Sequence, residues 1–411
     1  MVKIHGWESK TLGTLINEGK IVVQTGPFGT VLSAKEFVKY GIPVVAVREI
    51  REGYIQIFDE TPCVSMQTYN RLSKYNLVTN DLVFARKGNV ERSALIPLAK
   101  TKYFLGSDGI CLRVITKNLL PQYLLYAIQS NTVRSFLIQN AYGTTMAGLN
   151  EKILSSIPLF LPVDIDEQSA IAETLSDIDR LISSLQKLIE KKKAIKQGAM
   201  EELLTGKKRL PGFCSEWSRF RLGNMTEIYS GGTPNTAIPE YWGGSIPWMS
   251  SGELNNKKIY DVAGRITQKG MQNSSAHLIP KFCVLIGLAG QGKTRGTAAY
   301  NYISLCTNQS IAAIYPNNKK FDSRFLYYII DSMYESLREL SSGDGGRGGL
   351  TKGLISNLEI YMPCVIEQRE IAQVLSDMDS EIEQLEKKLA KYQQIKQGMM
   401  QELLTGRIRL V

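Results

Sequence analysis

Histidine is almost absent. Only His5 and His277 occur in 411 residues, and no set of nucleophile, base and carboxylate assembles around either. Catalysis by this chain is therefore not expected. The six cysteines (Cys63, Cys111, Cys214, Cys283, Cys306, Cys364) stand apart, with no pair at the two-residue spacing that binds zinc or cycles as a redox couple. They read as reduced thiols of a cytoplasmic protein. No apolar run approaches the roughly 18 residues of a membrane span. The start, MVKIHGWESK, also lacks the apolar stretch of a signal peptide, so no membrane partner is expected. Missing too are an Asn-Pro-Pro-Tyr or Asp-Pro-Pro-Tyr run, a glycine-rich methyl-donor fingerprint and any metal-ligand cluster. No cofactor and no metal is assigned to this chain.

What is plentiful is positive charge and apolar bulk. A net charge of +10 favours a polyanionic partner, because each Lys or Arg near a phosphate gains Coulomb energy and releases a counterion. At this length, with 43% apolar residues, two or more cores are expected.

The chain is also a duplication. Residues 167–210 and 367–410 align at a constant offset of 200, with 24 of 44 positions identical. Both copies open on Glu-Gln, pass through Leu-Ser-Asp-x-Asp, and close on Ile-Lys-Gln-Gly followed by Glu-Leu-Leu-Thr-Gly. Apolar residues step by four and three: Ile171, Leu175, Ile178, Ile182, Leu185 and Ile189 in the first copy, Ile371, Leu375, Met378, Ile382, Leu385 and Leu389 in the second. That is a heptad seam, and it predicts two long helices pairing as an antiparallel coiled coil. Asp164 with Glu167 suits a capping box, and Gly206 and Gly406 mark the stops. A helix over 166–204 would measure about 57 Å at 1.5 Å per residue.

The intervening segments repeat more faintly. Trp7-x4-Leu12-Gly13 matches Trp217-x4-Leu222-Gly223, and Leu149 to Pro162 tracks Leu350 to Pro363. The predicted order is a first globular domain (1–163), a central long helix (164–210), a second globular domain (211–363) and a C-terminal long helix (364–411). Each domain reads as α/β or α+β, with short strands such as Pro43 to Val47, Leu82 to Ala85, Val284 to Leu288 and Ser310 to Tyr315. One amphipathic helix is expected in each, Pro121 to Gln139 and Ser323 to Leu340. The basic excess sits on the domains, with 18 basic against 11 acidic residues in 1–163 and 15 against 11 in 211–363. The helices are balanced, at 9 against 9 and 7 against 8. The domains are thus expected to meet the polyanion, with nucleic acid the leading candidate and double-stranded DNA the expected partner, and the helices to meet protein.

Gly287-Leu-Ala-Gly-Gln-Gly-Lys-Thr294 fits the pattern of a nucleotide-binding loop. A phosphate cradle needs a helix directly after Lys-Thr, whereas early Gly296 and β-type alternation follow here, so a hairpin tip is expected. Its Gln291, Lys293 and Arg295 correspond to Arg86, Lys87 and Asn89, with Arg92 beyond, in the first domain. Arg and Lys read guanine edges, and Asn and Gln read adenine edges. On the same reasoning Arg48, Gln67, Asn70 and Arg71 are candidates in the first domain, and Asn255, Asn256, Lys257, Asn308, Gln309 and Arg347 in the second. The alternative for each is a solvated loop that touches phosphate alone. Tyr241, Trp242 and Trp248 read as turn packing rather than base stacking.

These motifs resemble the specificity subunits of type I restriction-modification systems. The resemblance is carried by Glu-Gln-x-x-Ile-Ala at each helix start, by Leu-Leu-Thr-Gly-Lys-Lys-Arg-Leu-Pro-Gly-Phe before Glu216-Trp217, and by Gly231-Gly-Thr-Pro with Tyr241-Trp-Gly-Gly-Ser-Ile-Pro-Trp. It implies that each domain reads one half of a bipartite, asymmetric DNA site. It also implies that the paired helices set the gap and dock two modification subunits, which restriction subunits then join. S-adenosylmethionine, ATP and Mg would belong to those partners. A specificity subunit whose methylase and nuclease are fused in one partner would look the same, and a P-loop ATPase is the rival from another class.

Overall fold

The computed structural model describes residues 5–29, 31–98, 100–141, 148–290, 292–341 and 349–410. The chain divides into two compact units that do not follow linear order: residues 1–186 with 387–411, and residues 187–386. Each contains one globular domain, the first half of one long helix and the second half of the other.

In the first unit an antiparallel sheet runs in the order Ile21–Thr25, Gly109–Val114, Leu82–Ala85, Ser93–Leu95. A second sheet contains a parallel pair, Ile42–Val45 beside Tyr103–Leu105. Strand Trp7–Thr11 pairs antiparallel with Pro158–Pro162, joining the start of the domain to its end.

The second unit repeats this plan. Its larger sheet is ordered Ile228–Ser230, Ile311–Ile314, Val284–Gly287, Ala298–Asn301, Lys258–Ile259. Trp242–Met249 lies parallel to Cys306–Thr307, and Ser218–Arg221 closes on Glu359–Met362. The expected strands are present, with ends moved by one or two residues.

The helix expected over Pro121 to Gln139 is two helices, Pro121–Gln129 and Asn131–Asn140. Ser130 takes an extended ψ of 150° and its hydroxyl accepts from the Val133 amide at 3.4 Å, which ends one helix and caps the next. Its counterpart is likewise split, into Ser323–Ser332 and Tyr334–Leu340.

The long helices span Ile165–Leu203 and Val365–Leu403, 39 residues each. Gly206 and Gly406 follow at φ +71° and +67°, the left-handed conformation of a helix stop. The capping expectation holds in part. The Asp164 carboxylate accepts from the Asp166 amide at 3.0 Å, but Glu167 turns inward and is fully buried.

In each unit the two helix segments are antiparallel. Lys396 pairs with Asp179 at 2.6 Å in the first. Lys196 with Asp379 at 2.5 Å, Lys192 with Glu381 at 2.6 Å and Lys193 with Glu386 at 2.9 Å do so in the second. The seam is not purely helix on helix. Ile171 and Leu175 sink into the first unit's domain core together with Leu403 and Leu404, and Ile371 and Leu375 share the other core with Met200, Leu203 and Leu204. A 4-3 stripe specifies a buried face without saying what buries it, and here a domain covers its first turns. Ile178, Leu185, Ile189 and Ile382 are also buried, while Ile182, Met378, Leu385 and Leu389 are half-buried.

Candidate nucleic-acid interface

The loop 86–92 leaves strand Leu82–Ala85 and returns in Ser93–Leu95, so a hairpin presents its side chains at one sheet end. The Arg86 amide donates to the Asp108 carbonyl at 2.8 Å and its carbonyl accepts from the Leu149 amide at 2.8 Å, which fixes the backbone. Its guanidinium lies 4.3 Å over the half-exposed Phe28 ring. Nε and one terminal nitrogen are buried without a hydrogen-bond acceptor among the described residues. Buried donors of this kind are costly until an acceptor arrives.

Lys87 pairs with Asp108 at 3.1 Å. With the Asn89 amide oriented so that its oxygen accepts, it receives two hydrogen bonds from Arg92, at 3.0 and 2.6 Å. Arg48 lies over Phe58 and pairs with Glu60 at 2.8 Å. Gln67, Asn70 and Arg71 share the short helix Met66–Arg71 and are exposed, Arg71 in an ion pair with Glu36.

In the second unit, residues 287–297 link strands Val284–Gly287 and Ala298–Asn301, which pair antiparallel. Among the described residues no helix follows Lys293-Thr294, so the amide dipoles of a phosphate cradle are not assembled there. Lys293 is exposed, and its carbonyl accepts from the Thr297 hydroxyl at 2.6 Å. Arg295 is half-buried, its carbonyl facing Arg338.

Gln309 is exposed and its amide oxygen accepts from the Thr233 hydroxyl at 2.6 Å. Asn308 is half-buried and its side chain accepts from the Ser310 amide at 3.2 Å. Asn255 and Asn256 sit in the turn Ser251–Asn256, ahead of Lys257, which adopts φ +61° and pairs with Asp331 at 2.6 Å. Trp242 and Trp248 pack edge to face at 5.0 Å, and both indole N–H groups donate to backbone carbonyls. Gln291 and Arg347 lie outside the described residues. So does loop 143–148 except Gly148.

Sequence reasoning missed the polar groups that tie each helix to its surroundings. Glu167 accepts a bidentate ion pair from Arg409 and a hydrogen bond from the Trp7 indole at 3.3 Å, and Glu367 receives Arg209 at 2.7 and 2.6 Å. Gln168 accepts from the Leu120 amide and donates to the carbonyls of Asn118 and Pro162. Gln368 accepts from the Asp322 amide and donates to the Pro363 carbonyl. Tyr126 donates to Asp179 at 3.0 Å, and Tyr328 to Asp379 at 2.7 Å, on the same carboxylates that hold Lys396 and Lys196. Burial, and then the neighbouring aspartate, raise both phenols above their ordinary range. The available signal was identity: each of these polar residues in the helices recurs at the offset of 200.

Among the described residues there is no cluster of metal-ligating side chains, and no helix is long and apolar enough to cross a membrane. The family model for the type I restriction modification DNA specificity domain matches this chain twice, over residues 6–197 and 214–397. The chain is 25% identical over 423 residues to the type I restriction enzyme MjaVIII specificity subunit of Methanocaldococcus jannaschii, covering 97% of this chain and 95% of that protein. Over 169 residues it is 25% identical to the EcoR124I/EcoR124II specificity subunit of Escherichia coli, 40% of this chain and 41% of the other. In fold it is similar to the crystal structure of a type I restriction-modification S subunit from Mycoplasma genitalium, with a TM-score of 0.65 at 17% identity over 98% of this chain and 97% of that one.

Proposed function

This chain belongs to the type I restriction modification DNA specificity family, and from that premise we propose that it is the DNA-recognition subunit of such a complex. The observation that carries the reading is the double match, one DNA specificity domain in each half. Each domain reads one half of a bipartite site. The hairpins 86–92 and 287–297 occupy equivalent places yet differ in sequence, so the two half-sites differ and the target is asymmetric.

The helices act as a ruler. Thirty-nine residues amount to about 58 Å of helix, and half-sites about one DNA turn apart, roughly 34 to 36 Å, lie on one side of a duplex. The helices also dock two modification subunits. S-adenosylmethionine chemistry on the target base, and ATP-driven cleavage by restriction subunits, belong to those partners. With only His5 and His277, the chain is poorly supplied for reaction, in keeping with a subunit that reads DNA.

Methylation mapping of DNA from cells expressing this chain with its modification subunit tests the proposal. Two unlike half-sites at a fixed gap are expected. A helical turn inserted between Leu185 and Ile189, and its match in the second helix, should change the gap and leave both half-sites intact. Altered half-sites at an unaltered gap would overturn the ruler.

A further inference from the structure

Burial sorts the six cysteines. Cys111, Cys283 and Cys306 are buried and Cys63 is half-buried, whereas Cys214 and Cys364 are exposed free thiols. The two exposed thiols lie 150 positions apart and bracket one domain. Cys214 precedes its first strand, Ser218–Arg221, and Cys364 follows its last, Glu359–Met362.

The fold brings both to one place. Those two strands pair antiparallel with Ser218 opposite Met362, and at that register Cys364 falls opposite Glu216, two residues from Cys214. On one side, a turn closed by the Phe213 amide on the Leu210 carbonyl, at 3.3 Å, carries the chain from Arg209 to Cys214. On the other, the Cys364 carbonyl accepts from the Gln368 amide at 3.1 Å, so Cys364 starts the turn of helix that bears Glu367. Arg209 joins the two sides: it donates to Glu367 at 2.7 and 2.6 Å and lies over the Trp217 ring at 5.9 Å. The Glu367 carboxylate holds this guanidinium above its ordinary range, and Cys214 and Cys364 are both near enough to act on it in the same direction. One cation is thus within electrostatic reach of both sulfurs.

The first domain has the same neck without the thiols. Ile4 stands three residues before Trp7, where Cys214 stands before Trp217, and Asp164 occupies the place of Cys364. The shared scaffold therefore does not require the pair.

We propose that Cys214 and Cys364 form a redox-sensitive pair, which a hydroperoxide joins into a disulfide that staples the neck of the second domain. The inference is independent of what the domains read. One thiol attacks a peroxide oxygen, the O–O bond breaks, and a sulfenic acid forms with release of one water. The other thiol then attacks that sulfur, the S–S bond forms, and a second water leaves. Two electrons and two protons pass from the thiols to the peroxide, and a thiol reductant reverses the step. The staple closes the whole second domain into one loop, which restricts its unfolded states and leaves the first domain as it was.

The test uses the full chain, purified reduced, treated with hydrogen peroxide and read by intact mass and peptide mapping. A loss of the mass of two hydrogen atoms is expected, with one cross-linked peptide joining Cys214 to Cys364 and both thiols gone from the native titration. The oxidised chain should unfold at a temperature higher by roughly 5 to 15 °C, and dithiothreitol should abolish the gain. Cys214→Ser and Cys364→Ser change exposed positions, so each should leave the reduced chain's melting temperature unaltered and remove the peroxide response. Oxygen added at one cysteine while the other stays titratable would overturn the pair. So would covalent dimers linked chain to chain, no reaction at either thiol, or the same mass loss in the Cys214→Ser variant.

Discussion

Arg409 closes a two-point ion pair on Glu167, 242 positions earlier, and Arg209 does the same to Glu367. The arginine that follows the end of one long helix is thus clamped to the carboxylate that begins the other. Glu167 is fully buried, so its charge depends on that guanidinium and on the Trp7 indole. Arg409→Ala should cost about 2 kcal/mol, below the usual cost of breaking a buried pair because Arg409 itself is partly solvated. Adding Glu167→Gln removes the stranded charge and should restore part of the loss. Denaturant unfolding of the single and double variants measures the coupling, and simple additivity would count against the clamp.

Tyr126, Asp179 and Lys396 form one linked set, and Tyr328, Asp379 and Lys196 its twin. Tyr126→Phe removes one donor to an aspartate that keeps its lysine, so a loss of about 1 kcal/mol is expected. Asp179→Ala strands both the tyrosine hydroxyl and the lysine and should cost more. Equal losses in the two variants would sink the linked arrangement.

Readout should divide by domain. Arg86→Ala is expected to weaken binding by about 1 to 3 kcal/mol, with relaxed preference confined to the half-site read by the first domain. Gln309→Ala should act on the other half-site alone. Methylation maps of both variants decide this, and a change common to both half-sites would reduce these residues to phosphate contacts.

Lys293 sits in a sequence that mimics a nucleotide-binding loop and in a backbone that does not. Calorimetric titration with ATP and Mg should show no binding to the unaltered chain, and Lys293→Ala should change nothing. Saturable binding abolished by the substitution would make the hairpin a phosphate site after all.

Burial pushes the Cys306 thiol up to about 11 and the Cys283 thiol up to about 12, and raises Cys111 as well, where Asp81 adds to the effect. Unfolded, such thiols ionise near about pH 8.5. The folded state keeps protons that the unfolded state has already lost, so this contribution to stability is complete below that pH and fades as the pH climbs toward the raised values. Unfolding free energy should therefore fall between pH 8 and 10.5. At pH 8 a thiol reagent should label exposed Cys214 and Cys364 and spare these three until the protein unfolds. Labelling of all six cysteines in the native state would contradict the burial.

The duplication and the helix ends were legible because identity and periodicity are properties of short stretches of chain. Gly206 needed no partner to announce a stop. Ser130 did not announce its break, since the apolar period continues from Tyr123 through Leu137 while the hydroxyl diverts to the Val133 amide. Glu167 read as a capping residue because Asp164 stands three positions before it. Its true partner, Arg409, lies too far along the chain for any local pattern to reveal. Loop residues were the least legible. A hairpin tip has no period, and Arg86 and Lys87 are neighbours of similar charge, yet one stacks on Phe28 with two nitrogens unpaired among the described residues and the other is spent on Asp108.

The pairing of Trp7–Thr11 with Pro158–Pro162, and of Ser218–Arg221 with Glu359–Met362, gives each globular domain a closed neck. Entry and exit lie side by side, so everything between them can be exchanged as a cassette while the scaffold below keeps its geometry. Recombination between two such genes, with crossovers in the DNA encoding these short ribbons, would create a new binding preference in one event. The architecture makes diversification of DNA targets a matter of swapping parts, without rebuilding the frame that carries them.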